Sequence, residues 1–234
     1  MEVCWSSEEA YGKAVYLLSR PTNTFFFFLV FYFKSWEKHI YLLLYMLKIL
    51  FLHGLASSGS YKMADMLRQL LRPCEVTAPD LPIDLDQALG TIHAVLAMEK
   101  PDLVVGLSWG GFLALRSGAG RIVAVNPDLD VSVLLGEHIG PMDYLSPRKG
   151  GEISFLITED ICERYRQAEK EPLPVTGAVL GCFAEQDTLV NCSDKFESLF
   201  PGKAFRYPGG HLPTYPEMKN FIVPAIRSFL EGGR

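Results

Sequence analysis

The chain has 234 residues, 49% of them hydrophobic, and a formal net charge of −5. That length and apolar content suit one α/β domain with a sizeable core, while a mildly acidic balance without a basic stripe speaks against nucleic-acid binding. Five cysteines, Cys4, Cys74, Cys162, Cys182 and Cys192, lack Cys-x-x-Cys spacing and are odd in number, so they read as reduced thiols of a cytoplasmic protein rather than a disulfide framework. The histidines, His39, His53, His93, His138 and His211, have no ligand partners at short spacing, and no metal site is expected.

Residues 1–45 do not resemble the rest of the chain. Phe25 to Phe33 is an apolar run too short to cross a bilayer, and Lys34-Ser35-Trp36-Glu37-Lys38-His39 separates it from the next apolar run, Ile40 to Leu47, so no stable membrane insertion is expected. Glu2, Glu8 and Glu9 stand where a signal peptide would carry basic residues. The expectation is that translation begins at Met46 and that residues 1–45 are translated upstream text. A membrane-associating extension is the alternative.

From Met46 the pattern is regular. Lys48 to Leu52 predicts a buried strand that leads into the Gly/Ser loop His53-Gly54-Leu55-Ala56-Ser57-Ser58-Gly59-Ser60, followed by a helix from Tyr61 to Leu71. Glu75 to Ala78 predicts a short strand, and Asp84 to Glu99 carries a helical apolar stripe at Leu85, Ala88, Leu89, Ile92, Val95 and Leu96. Leu103 to Leu107 is a third strand, ending in Gly106-Leu107-Ser108-Trp109-Gly110 and passing straight into an Ala/Leu-rich helix. Gly-x-Ser-x-Gly between a strand and a helix reads as a nucleophile elbow, with Ser108 at the apex and glycines where a Cβ would collide. Ile122 to Val125, ending at Asn126-Pro127, predicts a fourth strand.

Between Asp128 and Pro174 the alternation lapses. Val131 to Leu135, the turn residues Gly136, Gly140-Pro141, Pro147 and Gly150-Gly151, and a helix near Thr158 to Lys170 read as a small cap over the strand ends. Regularity returns with a strand at Gly177 to Ala184, a helix at Ser193 to Phe200, a strand at Ala204 to Tyr207 and a terminal helix at Glu217 to Leu230. Strands alternating with helices imply a mostly parallel sheet covered on both faces, with ligands at the carboxyl ends of its strands. The resulting division is residues 1–45 as an atypical extension and residues 46–234 as the α/β domain, the cap lying at about 128–174.

Acyl transfer by a serine needs a base, an acid that orients it, and donors for an oxyanion. With Ser108 as nucleophile, the hydrolase order of serine, acid and histidine is met by Asp187, after the strand ending at Ala184, and by His211 in Pro208-Gly209-Gly210-His211 after the last strand. Glu185 on the same turn and Asp128 past the preceding strand are the alternative acids. The oxyanion donors are assigned to the backbone N–H groups of Trp109 and Leu55, and His53 reads as a residue bracing its loop rather than as a second base.

From Met46 onward the chain resembles the α/β-hydrolase superfamily, and more narrowly the small YqiA/YcfP-type esterases. The motifs are Leu50-Phe51-Leu52-His53-Gly54-Leu55, Gly106-Leu107-Ser108-Trp109-Gly110-Gly111, Val125-Asn126-Pro127 with the segment to Leu135, and Gly209-Gly210-His211. The resemblance implies an α/β-hydrolase fold and a cytoplasmic carboxylic-ester hydrolase acting on a small-molecule acyl ester through Ser108, Asp187 and His211, with no metal or organic cofactor. Two departures, Ala184 before the acid turn and Trp109 beside the nucleophile, bear on substrate size. A thioesterase, acyltransferase or peptidase could use the same side chains, and a ligand-sensing protein on this scaffold or a membrane-tethered hydrolase are the readings from other classes.

Overall fold

The computed structural model describes residues 47–232. The readings of residues 1–45 as an extension or as upstream text lie outside them. Strand β1 (Lys48–Leu52) buries every side chain but that of Lys48, as its continuous apolar run requires of a strand covered on both faces. After it come α1 (Lys62–Leu70), β2 (Glu75–Thr77), α2 (Leu85–Glu99), β3 (Leu103–Leu107), α3 (Trp109–Arg116) and β4 (Arg121–Val125). Asp84 caps α2 by accepting the Gln87 N–H at 2.9 Å, satisfying one of the donors that a helix start leaves unpaired.

The central sheet is completed by β7 (Ala178–Ala184) and β8 (Ala204–Tyr207), separated by α6 (Ser193–Leu199). Its strand order is β2-β1-β3-β4-β7-β8, and every neighbouring pair is parallel. Both faces are covered: Leu50, Leu52, Phe112, Leu113, Leu115, Ile122 and Phe196 belong to one buried apolar cluster, and Ile49, Phe51, Val105 and Val123, which alternate to the opposite face of the strands, are equally buried. Each such fully buried side chain contributes roughly 1.5–3 kcal/mol relative to exposure. The four described cysteines, Cys74, Cys162, Cys182 and Cys192, are buried and free.

The segment between β4 and β7 holds α4 (Val131–Gly136), an antiparallel hairpin β5 (Gly140–Asp143) and β6 (Ser154–Ile157), and α5 (Glu159–Lys170). Helix α5 matches the expected one, with Thr158 accepting the Ile161 N–H at its start. The hairpin corrects the reading of Gly140-Pro141 as turn chemistry: Pro141 lies on a strand whose single partner is β6, and a proline is tolerated on such an edge because no second neighbour needs its missing N–H.

The last helix, α7, also departs from expectation. It begins at Tyr215–Glu217 under a Thr214/Glu217 capping box, widens into a π-helical turn at Met218–Ile222 and continues as Val223–Gly232. Pro224 offers no N–H and its ring would crowd the carbonyl four residues back, so widening the preceding turn lets the helix run through. Among the described residues no helix is long and apolar enough to cross a membrane.

Candidate active site

The chain reverses between β3 and α3 at Ser108, which adopts φ 55° and ψ −120°, a conformation that L residues rarely take and that is found at sites held by their surroundings. Two close approaches do the holding. A Cβ on Gly106 would lie 2.2 Å from the Gly110 carbonyl oxygen, and one on Gly110 would lie 2.2 Å from that of Leu52. No other residue type fits, so α3 packs directly on the ends of β1 and β3. Ser108 N–H donates to the Val125 carbonyl at 2.9 Å, continuing the ladder with β4, and the hydroxyl is left at the carboxyl end of the sheet.

The structure brings three of the residues singled out in the sequence into one chain of hydrogen bonds. The Ser108 hydroxyl lies 2.9 Å from His211 Nε2, and His211 Nδ1 donates to Asp187 Oδ2 at 2.8 Å. A carboxylate on Nδ1 fixes the proton there, so Nε2 faces the serine as an acceptor. The other Asp187 oxygen accepts the Leu189 and Val190 N–H groups, each at 2.9 Å. The Asp187 side chain is 5% exposed and that of His211 11%.

The alternative acids do not join this chain. Glu185 is exposed. Asp128 is buried, its backbone N–H donates to the Ser108 carbonyl at 3.2 Å, and its Oδ1 accepts the Asp130 N–H at 2.9 Å. Burial raises the Asp128 carboxyl above the ordinary carboxylate range, because a charge is poorly solvated there.

Asn126, read in the sequence only as the end of a strand, organises the loops that carry the acid and the histidine. Its backbone is left-handed at φ 43°, a region that asparagine tolerates better than most residues. Its amide donates to the Tyr207 hydroxyl at 2.9 Å and to the His211 carbonyl at 2.8 Å, while its Oδ1 accepts the Ala184 N–H at 2.7 Å. One side chain thus ties β4 to β7, β8 and the His211 loop. The signal available in the sequence was an Asn-Pro pair at a strand end facing the predicted site.

Trp109 opens α3, where an N–H has no intrahelical acceptor, and Leu55 N–H is without an acceptor among the described residues. The Trp109 ring is buried and its Nε1–H donates to the Tyr165 hydroxyl at 2.8 Å, which in turn donates to the Ile83 carbonyl at 3.0 Å. That relay pins α5 to the elbow. Trp109 also lines a small recess together with His53, Leu55, Ala56, Leu81, Ile83, Tyr144 and Phe155.

His53 is 1% exposed, donates from Nδ1 to the Gly54 carbonyl at 2.8 Å and accepts the Leu81 N–H at Nε2 at 3.0 Å. Burial lowers its pKa to about 4, so the ring is neutral and both nitrogens are engaged in holding loops. Among the described residues no group of three or more His, Cys, Asp or Glu side chains could hold a metal ion.

Solved structures share this architecture. Est1E from Butyrivibrio proteoclasticus is 17% identical and superposes with a TM-score of 0.58, the match covering 80% of this chain and 88% of that one. A structure described under LipS and LipT, two metagenome-derived lipolytic enzymes, is also 17% identical, at a TM-score of 0.56 over 80% of this chain and 94% of that one. Alpha/beta hydrolase domain-containing protein 10 from mouse is 13% identical, at a TM-score of 0.54 over 79% and 88%. At these identities the likeness is one of fold. No curated protein matches the sequence. The model of the alpha/beta hydrolase family matches residues 49–222, a span that holds the elbow, Asp187 and His211, and the chain belongs to that family.

Proposed function

We propose that this protein is a serine esterase that cleaves carboxylic esters of small or medium acyl groups through an acyl-enzyme intermediate. The observation that carries the reading is the unbroken line from the Ser108 hydroxyl through His211 to Asp187, with separations of 2.9 and 2.8 Å. In that arrangement the Ser108 Oγ attacks the ester carbonyl as His211 Nε2 takes its proton. Asp187 holds the tautomer and stabilises the imidazolium. The Leu55 and Trp109 N–H groups receive the negative oxygen, the imidazolium returns its proton to the leaving alcohol, and water attacking with the same base releases the acid.

Membership of the alpha/beta hydrolase family supports a hydrolase, and among the structures of like fold LipS and LipT are described as lipolytic enzymes that increase the diversity of known lipase and esterase families. The motifs favour the small YqiA/YcfP-type esterases within that family, acting in the cytoplasm on a small-molecule ester. The recess beside Trp109 and Leu55 is lined mainly by apolar side chains, with His53 and Tyr144 the exceptions, and an apolar lining favours uncharged acyl groups as the first substrates to test.

The test compares wild-type protein with Ser108→Ala on p-nitrophenyl acetate and a fluorophosphonate probe. Wild type should turn over the ester and be labelled at Ser108, and the variant should do neither. Equal hydrolysis by both proteins would refute the assignment, and a folded wild type inert to ester and probe would favour a ligand sensor.

A further inference from the structure

The loop that carries Leu55 turns at Gly54–Ser57, where the Ser57 N–H donates to the Gly54 carbonyl at 3.2 Å, and it is also held from outside. Ala56, the next residue, has φ 56°, a left-handed backbone that a residue with a Cβ keeps only where its surroundings impose it. Beyond that turn bond, the surroundings are supplied by the turn of the β5–β6 hairpin. Leu145 N–H donates to the Ala56 carbonyl at 2.7 Å, and the Ser60 hydroxyl donates to the Pro147 carbonyl at 2.8 Å. Arg148, whose side chain is 6% exposed, donates to the carbonyls of Ser57 and Leu81, each at 3.3 Å, and lies over the Tyr144 ring.

Asp80 joins the two loops directly. Its Oδ1 accepts Gly59 N–H and its Oδ2 accepts Lys149 N–H, each at 2.7 Å. One carboxylate thus bridges the loop after β1 to the turn of the hairpin. The fit is close on the first side: a Cβ on Gly59 would lie 2.1 Å from the Ala78 carbonyl oxygen. Burial alone would raise the Asp80 carboxyl, yet the two N–H bonds and the nearby Arg148 outweigh it and hold the group below its ordinary range, as bonds to the charged form do.

We propose that Asp80 is a positioning residue for the oxyanion hole: by bridging Gly59 and Lys149 it braces the hairpin turn against the Ala56 carbonyl, and so aims the Leu55 N–H at the reacting oxygen. This rests on the esterase reading. A donor matters to the rate only when it points at the place where the oxyanion forms, and that interaction is made in the transition state rather than in the bound ester. Loosening the brace should therefore lower kcat while leaving KM nearly unchanged.

The experiment measures kcat and KM on p-nitrophenyl acetate for wild type, Asp80→Asn and Asp80→Ala, each rate being divided by the concentration of sites titrated to completion with fluorophosphonate. Titration removes any unfolded fraction from the comparison. Asp80→Ala loses both acceptors and should lower kcat per site about tenfold or more, with KM within about twofold. Asp80→Asn keeps one acceptor and the side-chain shape, and should fall between. Should Asp80→Ala fail to fold, Asp80→Asn alone decides. A per-site kcat within twofold of wild type in the folded variants overturns the proposal and leaves the esterase reading standing. A wild type that neither turns over the ester nor reacts with the probe overturns both.

Discussion

His53, in the loop after β1, and His211, in the loop after β8, differ in what their ring nitrogens meet. Both nitrogens of His53 are occupied by backbone groups, the Gly54 carbonyl and the Leu81 N–H, and burial depresses its pKa to about 4. His211 has a carboxylate on one side and a hydroxyl on the other. The first ring is a brace between main-chain segments, and the second has a fixed proton and a free lone pair aimed at a potential nucleophile. Residue type alone does not separate them. The neighbours do.

The sharpest way to break that contrast is to exchange the consequences of losing each ring. Removing the base of a serine triad typically lowers kcat by at least roughly 10⁴-fold. His211→Ala should show a loss of that size in ester hydrolysis with a melting temperature close to wild type. A His211→Ala protein retaining a tenth of the rate would place the base elsewhere.

For His53 the expected effect is on stability. The unfolded chain binds a proton near the ordinary histidine pKa of 6.5, whereas the folded chain holds the ring neutral down to about 4. The unfolded state therefore binds more protons in that window, and stability falls as pH drops from 6.5 towards 4. Between pH 7 and 5 the loss is on the order of 2 kcal/mol. Asp128, whose carboxyl is raised by burial, works in the opposite sense, gaining stability as it protonates, but it is common to wild type and variant. Urea titrations of wild type and His53→Asn at both pH values isolate the histidine: the pH-dependent loss should be smaller in the variant by about that amount, and parallel curves would show that His53 does not titrate on unfolding.

The mildest perturbation acts on the ring beside His53. Trp109→Phe removes the Nε1–H donated to Tyr165 and leaves the Tyr165 bond to Ile83 in place. Stability should fall by roughly 2 kcal/mol in a denaturant titration, from the lost bond together with the void that the smaller ring leaves. A much larger loss would mean that the relay holds more of α5 than a single bond.

The parallel sheet was legible because each strand is a short apolar run bounded by turn residues and each helix carries a 3.6-residue stripe; β3, Leu103–Leu107, is the plainest case. Ser108, Asp187 and His211 were legible as a set because each follows a strand in a fixed order. The hairpin was not. Its strands alternate exposed with partly buried residues over only four positions each, Ile157 alone being fully buried, and Gly140-Pro141 carries the composition of a turn. The roles of Asn126, Asp80 and Tyr165 were equally hidden, since each acts on backbone or side chains far away in sequence, such as Ala184, Lys149 and Trp109. Only the folded chain decides which distant groups such side chains meet.

The bonds made by Asn126 have a consequence for the timing of order. Its amide grips the His211 carbonyl, just past the edge strand β8, and accepts the Ala184 N–H at the end of the interior strand β7, so the main chain that carries the imidazole cannot shift without breaking bonds that also join two strands. The backbone seat of the ring is thus settled by the same contacts that close the sheet.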